Sequence, residues 1–156
     1  NLGLNAWFWN ILFHDPEPIT PDPSRSASWN RGRYLTEAVA HCAECHTPRN
    51  QLGVLRSDLA YAGAKEGPEG KLTPNITPDK ETGIGGWNQD DLVYALQTGM
   101  VPNGDFLGNF MGMAIEHYQE LPDKDLEAIA EYILSLPPIV NQVREKKTKS
   151  TDDFDW

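Results

Sequence analysis

Apolar positions recur at helical spacing in three stretches of the chain, and those stretches set the expected architecture. In "LPDKDLEAIAEYILSLPP", Leu126, Ile129, Ala130, Ile133 and Leu134 follow the i, i+3, i+4, i+7 rhythm that one face of a helix buries. Pro122 and Asp123 suit the opening of that helix, and Pro137 suits its end. A second helix is predicted from "WNQDDLVYALQTG": Asn88 caps the start, Asp90 and Asp91 complement the positive end of the helix, and Gly99 stops it. The remaining pattern, Tyr34, Leu35, Ala38, Val39 and Cys42, predicts a helix from about Trp29 to Cys42 that halts at "HCAECHTPRN".

Between these helices the periodicity vanishes. Residues 47–87 are rich in Gly and Pro, and a structureless segment of that length needs something other than secondary structure to organise it. A large buried ligand would do so. Residues Met100 to Leu121 raise the same question on a smaller scale, with Gly104, Gly108 and Gly112 punctuating three methionines.

The ends read differently from the middle. "NLGLNAWFWNILF" is the most apolar run, yet it is too short for a bilayer span of ~20 residues. We expect Leu2 to Phe13 to pack either on its own domain or against another subunit or a preceding domain. A Pro/Asp-rich connector follows, giving an arm and connector at 1–23, a main domain at 24–140 and a charged, solvated tail at 141–156. The chain starts without Met and without a leader pattern, so a mature or excised segment is expected.

Composition narrows the function. Thirteen basic against twenty-three acidic side chains give a net charge of -10, which repels phosphate backbones and anionic lipid and suits a basic protein partner. A mean hydropathy of -0.53 argues against a membrane bundle.

The only two cysteines stand in "CAECH", and three chemistries compete for them. A thioredoxin-like dithiol needs its C-x-x-C at a helix start after a strand, within a βαβ pattern that this chain lacks. Structural zinc needs four ligands, and after His46 only His117 remains downstream. Covalent haem attachment needs two thiols for the porphyrin vinyl groups and an adjacent His for the iron, which C-x-x-C-H supplies residue for residue. Haem would also provide the buried apolar surface that the loops require. For the opposite axial position the candidates are Met100, Met111, Met113 and His117. Met100 follows the helix-ending Gly99 and suits packing beneath a turn, while His117 in "EHYQE" suits the surface. Met111 is favoured because Gly108 and Gly112 allow a flat ligand to approach the backbone, and Met113 is the runner-up. Core filling is the ordinary role of any Met.

Taken together, "NRGRYLTEAVAHCAECHTPRNQLG", "LTPNITPDKETGIGGW" and "LPDKDLEAIAEYILSLPP" resemble the class I c-type cytochromes. The likeness is greatest to the multi-haem cytochrome subunits of bacterial membrane-bound dehydrogenases of alcohols, sugars or sugar acids. It covers roughly residues 24–140. It implies an all-α cytochrome c-like domain, with helices and long Gly/Pro loops wrapped around one covalent haem c and with the first and last helices crossing. Gly32 and Tyr132 suit that crossing, since a missing side chain on one helix admits an aromatic from the other. By position, the resemblance makes Cys42 and Cys45 the thioether anchors, His46 the proximal iron ligand and Met111 the distal one. It implies that Pro48 sets the loop whose carbonyl orients His46 and that Arg49 reaches a haem propionate. Asn75, Ile76 and Trp87 are expected to line the pocket and bind propionates, and Tyr34 completes the cofactor-binding set. Plainer roles exist for each: turn shaping for Pro48 and Asn75, a solvated charge for Arg49, ordinary core for Trp87. Relatives of this type often hold several haems, whereas this chain has a single C-x-x-C-H. It is therefore either a one-haem relative or the last piece of a longer subunit.

The function expected from this is electron transfer from a dehydrogenase toward a respiratory chain, with no substrate chemistry on the chain itself. A haem enzyme of the peroxidase or sulfur-oxidising kind would need an exchangeable axial site with acid–base groups nearby. A haem sensor would need a dissociable ligand and an output module. Covalent haem attachment, again through the resemblance, implies export to the periplasm, with membrane contact through a partner or a missing segment.

Overall fold

A computed structural model describes residues 7–8, 11–12 and 18–143. Five α-helices are defined among them: α1 (Ala27–Tyr34), α2 (Cys42–His46), α3 (Gln89–Thr98), α4 (Asn109–Tyr118) and α5 (Asp123–Leu134). A π-helical turn, Leu35–Val39, follows α1, and 3-10 turns occupy Ser57–Leu59 and Pro68–Gly70. No β-strand forms among the described residues; backbone pairing is limited to isolated bridges such as Arg49 with Leu55 and Ala64 with Thr73. The fold is all-α, as expected.

The crossing of α1 on α5 is the frame of the domain. A Cβ on Gly32 would lie 1.9 Å from the Ala128 carbonyl oxygen and 3.0 Å from Tyr132 Cβ, so only glycine lets the two backbones come this close. Flanking contacts fix the angle. Trp29 meets Tyr132 edge-on at 5.1 Å and its indole N–H donates to Ser135 Oγ. Arg31 grips Asp125 with two hydrogen bonds, 3.1 and 2.8 Å long, and these hold the Asp125 carboxyl below its ordinary pKa. Beneath the crossing lies the core of Leu35, Leu92, Leu96, Ile115, Leu126 and Ile129.

Both helices read most clearly from the sequence stand where expected. Asn88 and Asp91 form a reciprocal capping box on α3, and Gly99 ends it in the left-handed conformation. Two expectations are corrected. The helix predicted over 29–42 breaks: α1 ends at Tyr34, the chain widens into the π turn, and His41 adopts φ 50° before a separate helix begins at Cys42. The extra residue of a π turn rotates everything after it, and a left-handed non-glycine residue resets the chain direction. The cysteine motif is thus a helix of its own, not the end of α1. Second, the stretch from Met100 to Leu121 is not all loop, because α4 forms within it despite Gly112.

Trp7, Phe8, Ile11 and Leu12 of the apolar arm are helical and exposed, and the rest of the arm lies outside the described residues. Residues 139–143 run as an extended strap over the loops: Asn141 hydrogen-bonds to Ala62 and Gly63, and Val143 is buried. The domain therefore reaches into the segment expected as tail, of which residues 144–156 lie outside the described set.

Candidate functional site

Helix α2 presents the motif. Cys42 and Cys45 lie one turn apart as free, half-buried thiols, and His46 is buried at the helix end. Helix C-termini leave carbonyls without partners. Here the loops supply them: Gly63 N–H donates to His46 O at 2.6 Å, and Thr73 Oγ1 donates to Cys45 O at 2.7 Å. The hydroxyl of Thr47 accepts from Tyr61 N–H at 3.0 Å, which draws the next loop onto the same point.

The imidazole is held in one tautomer. His46 Nδ1 lies 2.8 Å from Pro74 O, and a carbonyl only accepts, so Nδ1 carries the proton. Nε2 then carries the lone pair, and no hydrogen bond among the described residues engages it. Burial lowers the pKa of His46, with the Pro74 bond opposing the shift, and so favours the neutral ring that ligates metals. The orienting carbonyl is that of Pro74, because the 74–75 segment passes beside the ring, while Pro48 O accepts from Arg56 N–H.

Burial also pushes the Cys42 thiol up to about 11. A redox dithiol works through a stabilised thiolate, so this is the wrong environment for thioredoxin-like exchange. Among the described residues no group of three or more His, Cys, Asp or Glu side chains gathers into a metal cage.

Helix α4 lays its apolar face on the core. Met111 is half-buried against the core, Ile115 is buried one turn on, and Tyr118 follows on the same face. The Tyr118 hydroxyl is pushed up to about 12, first by burial and then by Cys42 and Cys45. Met113 points the other way and is 54% exposed. His117 is exposed, and Met100 takes a weak 3.9 Å hydrogen bond from the Tyr94 hydroxyl.

The other expected pocket residues divide. Ile76 and Trp87 are half-buried against the core. Arg49 pairs with Glu44 and donates to Gly53 O, tying the turn after the motif back onto α2. Asn75 is tied into the loops: its Nδ2 donates to Thr82 Oγ1 and Ile139 O, and its Oδ1 accepts from the Thr77 N–H and hydroxyl. Tyr34 is half exposed beside Arg31 and shares a surface depression with Ile19 and Pro21 rather than with the motif. Sequence reasoning missed Pro74, Gly63, Thr73 and Tyr118. Only Tyr118 carried a signal, its i+7 spacing from Met111.

Two thiols one turn apart, an adjacent imidazole in the ligand tautomer and a thioether-bearing helix face fit a covalent haem. Residues 29–137 match the cytochrome c family model. The chain is 43% identical to the fructose dehydrogenase cytochrome subunit of Gluconobacter japonicus over 88% of its own length and 28% of that protein. It is 39% identical to a diheme cytochrome c-type protein of Cereibacter sphaeroides, covering 84% of this chain and 43% of the relative. It is also 39% identical to the gluconate 2-dehydrogenase cytochrome c subunit of Pantoea cypripedii, over 82% of this chain and 31% of the relative. The chain thus spans less than half the length of these relatives. A helical domain built around this motif, matched by the family over most of its length, belongs to the cytochrome c family.

Proposed function

We propose that this chain carries electrons through one haem c, with Cys42 and Cys45 as thioether anchors and His46 and Met111 as axial ligands. The observation that carries the reading is the His46 ring: Nδ1 donates to Pro74 O at 2.8 Å, which leaves Nε2 as the ligand nitrogen, directly after the C-x-x-C pair. The chemistry supplied by the bound group is a reversible one-electron change at iron. The chain's own work is to keep that change free of rearrangement. α2 fixes the anchors, Pro74 fixes the tilt and basicity of His46, and α4 offers Met111 from the face that also carries Ile115 and Tyr118. The core behind α4 excludes water, which limits reorganisation and raises the potential.

The electron donor in this reading is a dehydrogenase, the electrons pass toward a respiratory chain, and the chain works in the periplasm. Support comes from relatives named as cytochrome subunits of fructose, alcohol and gluconate 2-dehydrogenases. A net charge of -10 suits docking to a basic patch on that partner. No helix among the described residues is long and apolar enough to cross a membrane. The single C-x-x-C-H supports a reading of one haem on this stretch.

Ferric spectra of Met111→Ala and Met113→Ala test the ligand set. Met111→Ala is expected to lose the far-red iron–sulfur charge-transfer band and to bind carbon monoxide when reduced, with Met113→Ala unchanged. The reverse pattern moves the ligand to Met113, and a wild-type protein that already binds carbon monoxide favours a haem enzyme or sensor.

A further inference from the structure

Two groups outside α2 hold His46, and both belong to loops that one short strap grips. We infer that residues 139–143 form a positioning clasp for the proximal ligand, with Asn141 as its central residue; this rests on His46 being the iron ligand. Gly63 N–H donates to the His46 carbonyl at 2.6 Å, and Pro74 O accepts from Nδ1 at 2.8 Å. These two are mechanically one unit. Gly63 has φ +82°, and a Cβ there would stand 2.6 Å from both Pro74 C and Asn75 N; on either side of this close approach Ala64 and Thr73 exchange backbone hydrogen bonds and Ile76 N–H donates to Tyr61 O, so the two segments move together.

Asn141 holds the first segment. Its Nδ2 donates to Ala62 O at 3.1 Å and Gly63 O at 3.2 Å, which locks the peptide whose nitrogen reaches His46. Its backbone N–H donates to Thr82 Oγ1 at 3.0 Å. Two residues earlier, Ile139 closes on the second segment: its carbonyl accepts from Asn75 Nδ2 at 2.7 Å, and its N–H donates to Thr77 Oγ1 at 3.1 Å. The Thr82 hydroxyl joins the halves, accepting from Asn75 Nδ2 as well as Asn141 N–H while donating to Asp79. Buried Val143 anchors the far end. The strap belongs to no helix or strand, so these side-chain contacts are what fix it. It also lies beyond residue 137, where the family match ends.

The consequence falls on the His46–Pro74 bond. A firm Nδ1–H···O=C bond makes the imidazole a stronger donor, which favours oxidised iron. Loosening the clasp weakens that bond and favours the reduced state.

The test uses the haem-bearing full chain with Asn141→Asp, which replaces both Nδ2 donors by an acceptor at nearly the same volume. Thr82→Val removes the shared hydroxyl, and Thr82→Ser restores it. Asn141→Asp and Thr82→Val are expected to raise the midpoint potential. Both are also expected to speed Gly63 amide exchange about tenfold, the effect of losing roughly one net hydrogen bond's stability. Amides of the α1–α5 crossing keep their wild-type rates, and Thr82→Ser behaves as wild type. If Asn141→Asp fails to accumulate, the Thr82 pair decides the matter. Unchanged potential and Gly63 exchange would overturn the clasp, as would acceleration shared equally with the α1–α5 amides, which marks general destabilisation. Wild-type protein without covalent haem overturns the proposed function and this inference together.

Discussion

The crossing of α1 on α5 and the loop region under α2 hold together by different physics. At the crossing, Gly32 lets backbones touch, Leu126 is fully buried, and apolar area removed from water supplies the stability, ~1.5–3 kcal/mol for a buried Leu. The loop side has no strand and only short 3-10 turns. It is pinned by individual polar ties: Thr73 to Cys45, Thr47 to Tyr61, and Asn75 and Thr82 to the strap. One region resists unfolding as a block. The other sets the position of a few atoms, which is what a redox ligand needs.

Substitutions should therefore act differently in the two regions. The largest effect is expected from Gly32→Val, whose Cβ falls 1.9 Å from a backbone oxygen that cannot swing away; we expect a loss of about 3 kcal/mol or more in denaturant unfolding. Leu126→Ala follows at about 3 kcal/mol by the same measurement, since it opens a cavity in the fully buried core. Neither residue is one of the proposed axial ligands, so the absorption spectrum of the remaining folded fraction should stay that of wild type. Spectra altered before unfolding would erase the proposed division between the two regions.

Acid should weaken both at once. Asp125 is held below its ordinary pKa by hydrogen bonds from Arg31, and Asp79 by bonds from the Thr82 hydroxyl and nearby amides. A depressed carboxyl contributes stability that is complete above the unfolded value of ~3.9 and is lost as pH falls through the lower folded value. Thermal melting across this window should show a falling Tm, with Asp125→Asn and Asp79→Asn each flattening part of the slope. Thr73→Val removes the tie to Cys45 O and should cost about 1 kcal/mol, with a change in the haem spectrum larger than that cost implies. Smallest is Arg49→Ala, whose exposed pair with Glu44 is expected to contribute under ~0.5 kcal/mol and to leave the Tm nearly unchanged.

The same contrast explains what could be read from the chain alone. α3 and α5 were legible because apolar periodicity, caps and stop residues agreed, and the Gly32 contact followed from expecting the terminal helices to cross. The C-x-x-C-H motif gave α2 its chemistry without any geometry. α4 was obscured by Gly108 and Gly112, although Met111, Ile115 and Tyr118 keep helical spacing. The π turn and left-handed His41 carry no pattern that separates them from a continuing helix. Pro74 O is the carbonyl that orients His46, and Asn75 binds the strap. Both outcomes depend on contacts between residues far apart in the chain, 28 positions for His46 with Pro74 and 64 for Asn75 with Ile139, which local composition does not encode.

Mass spectrometry of the proteolytic peptide that spans Cys42 to His46, from protein matured in a host that attaches haem c, tests the central claim most directly. The account predicts a peptide carrying one haem through two thioether bonds, retained after denaturation. Unmodified thiols, a Cys42–Cys45 disulfide or a zinc-bound peptide would contradict it.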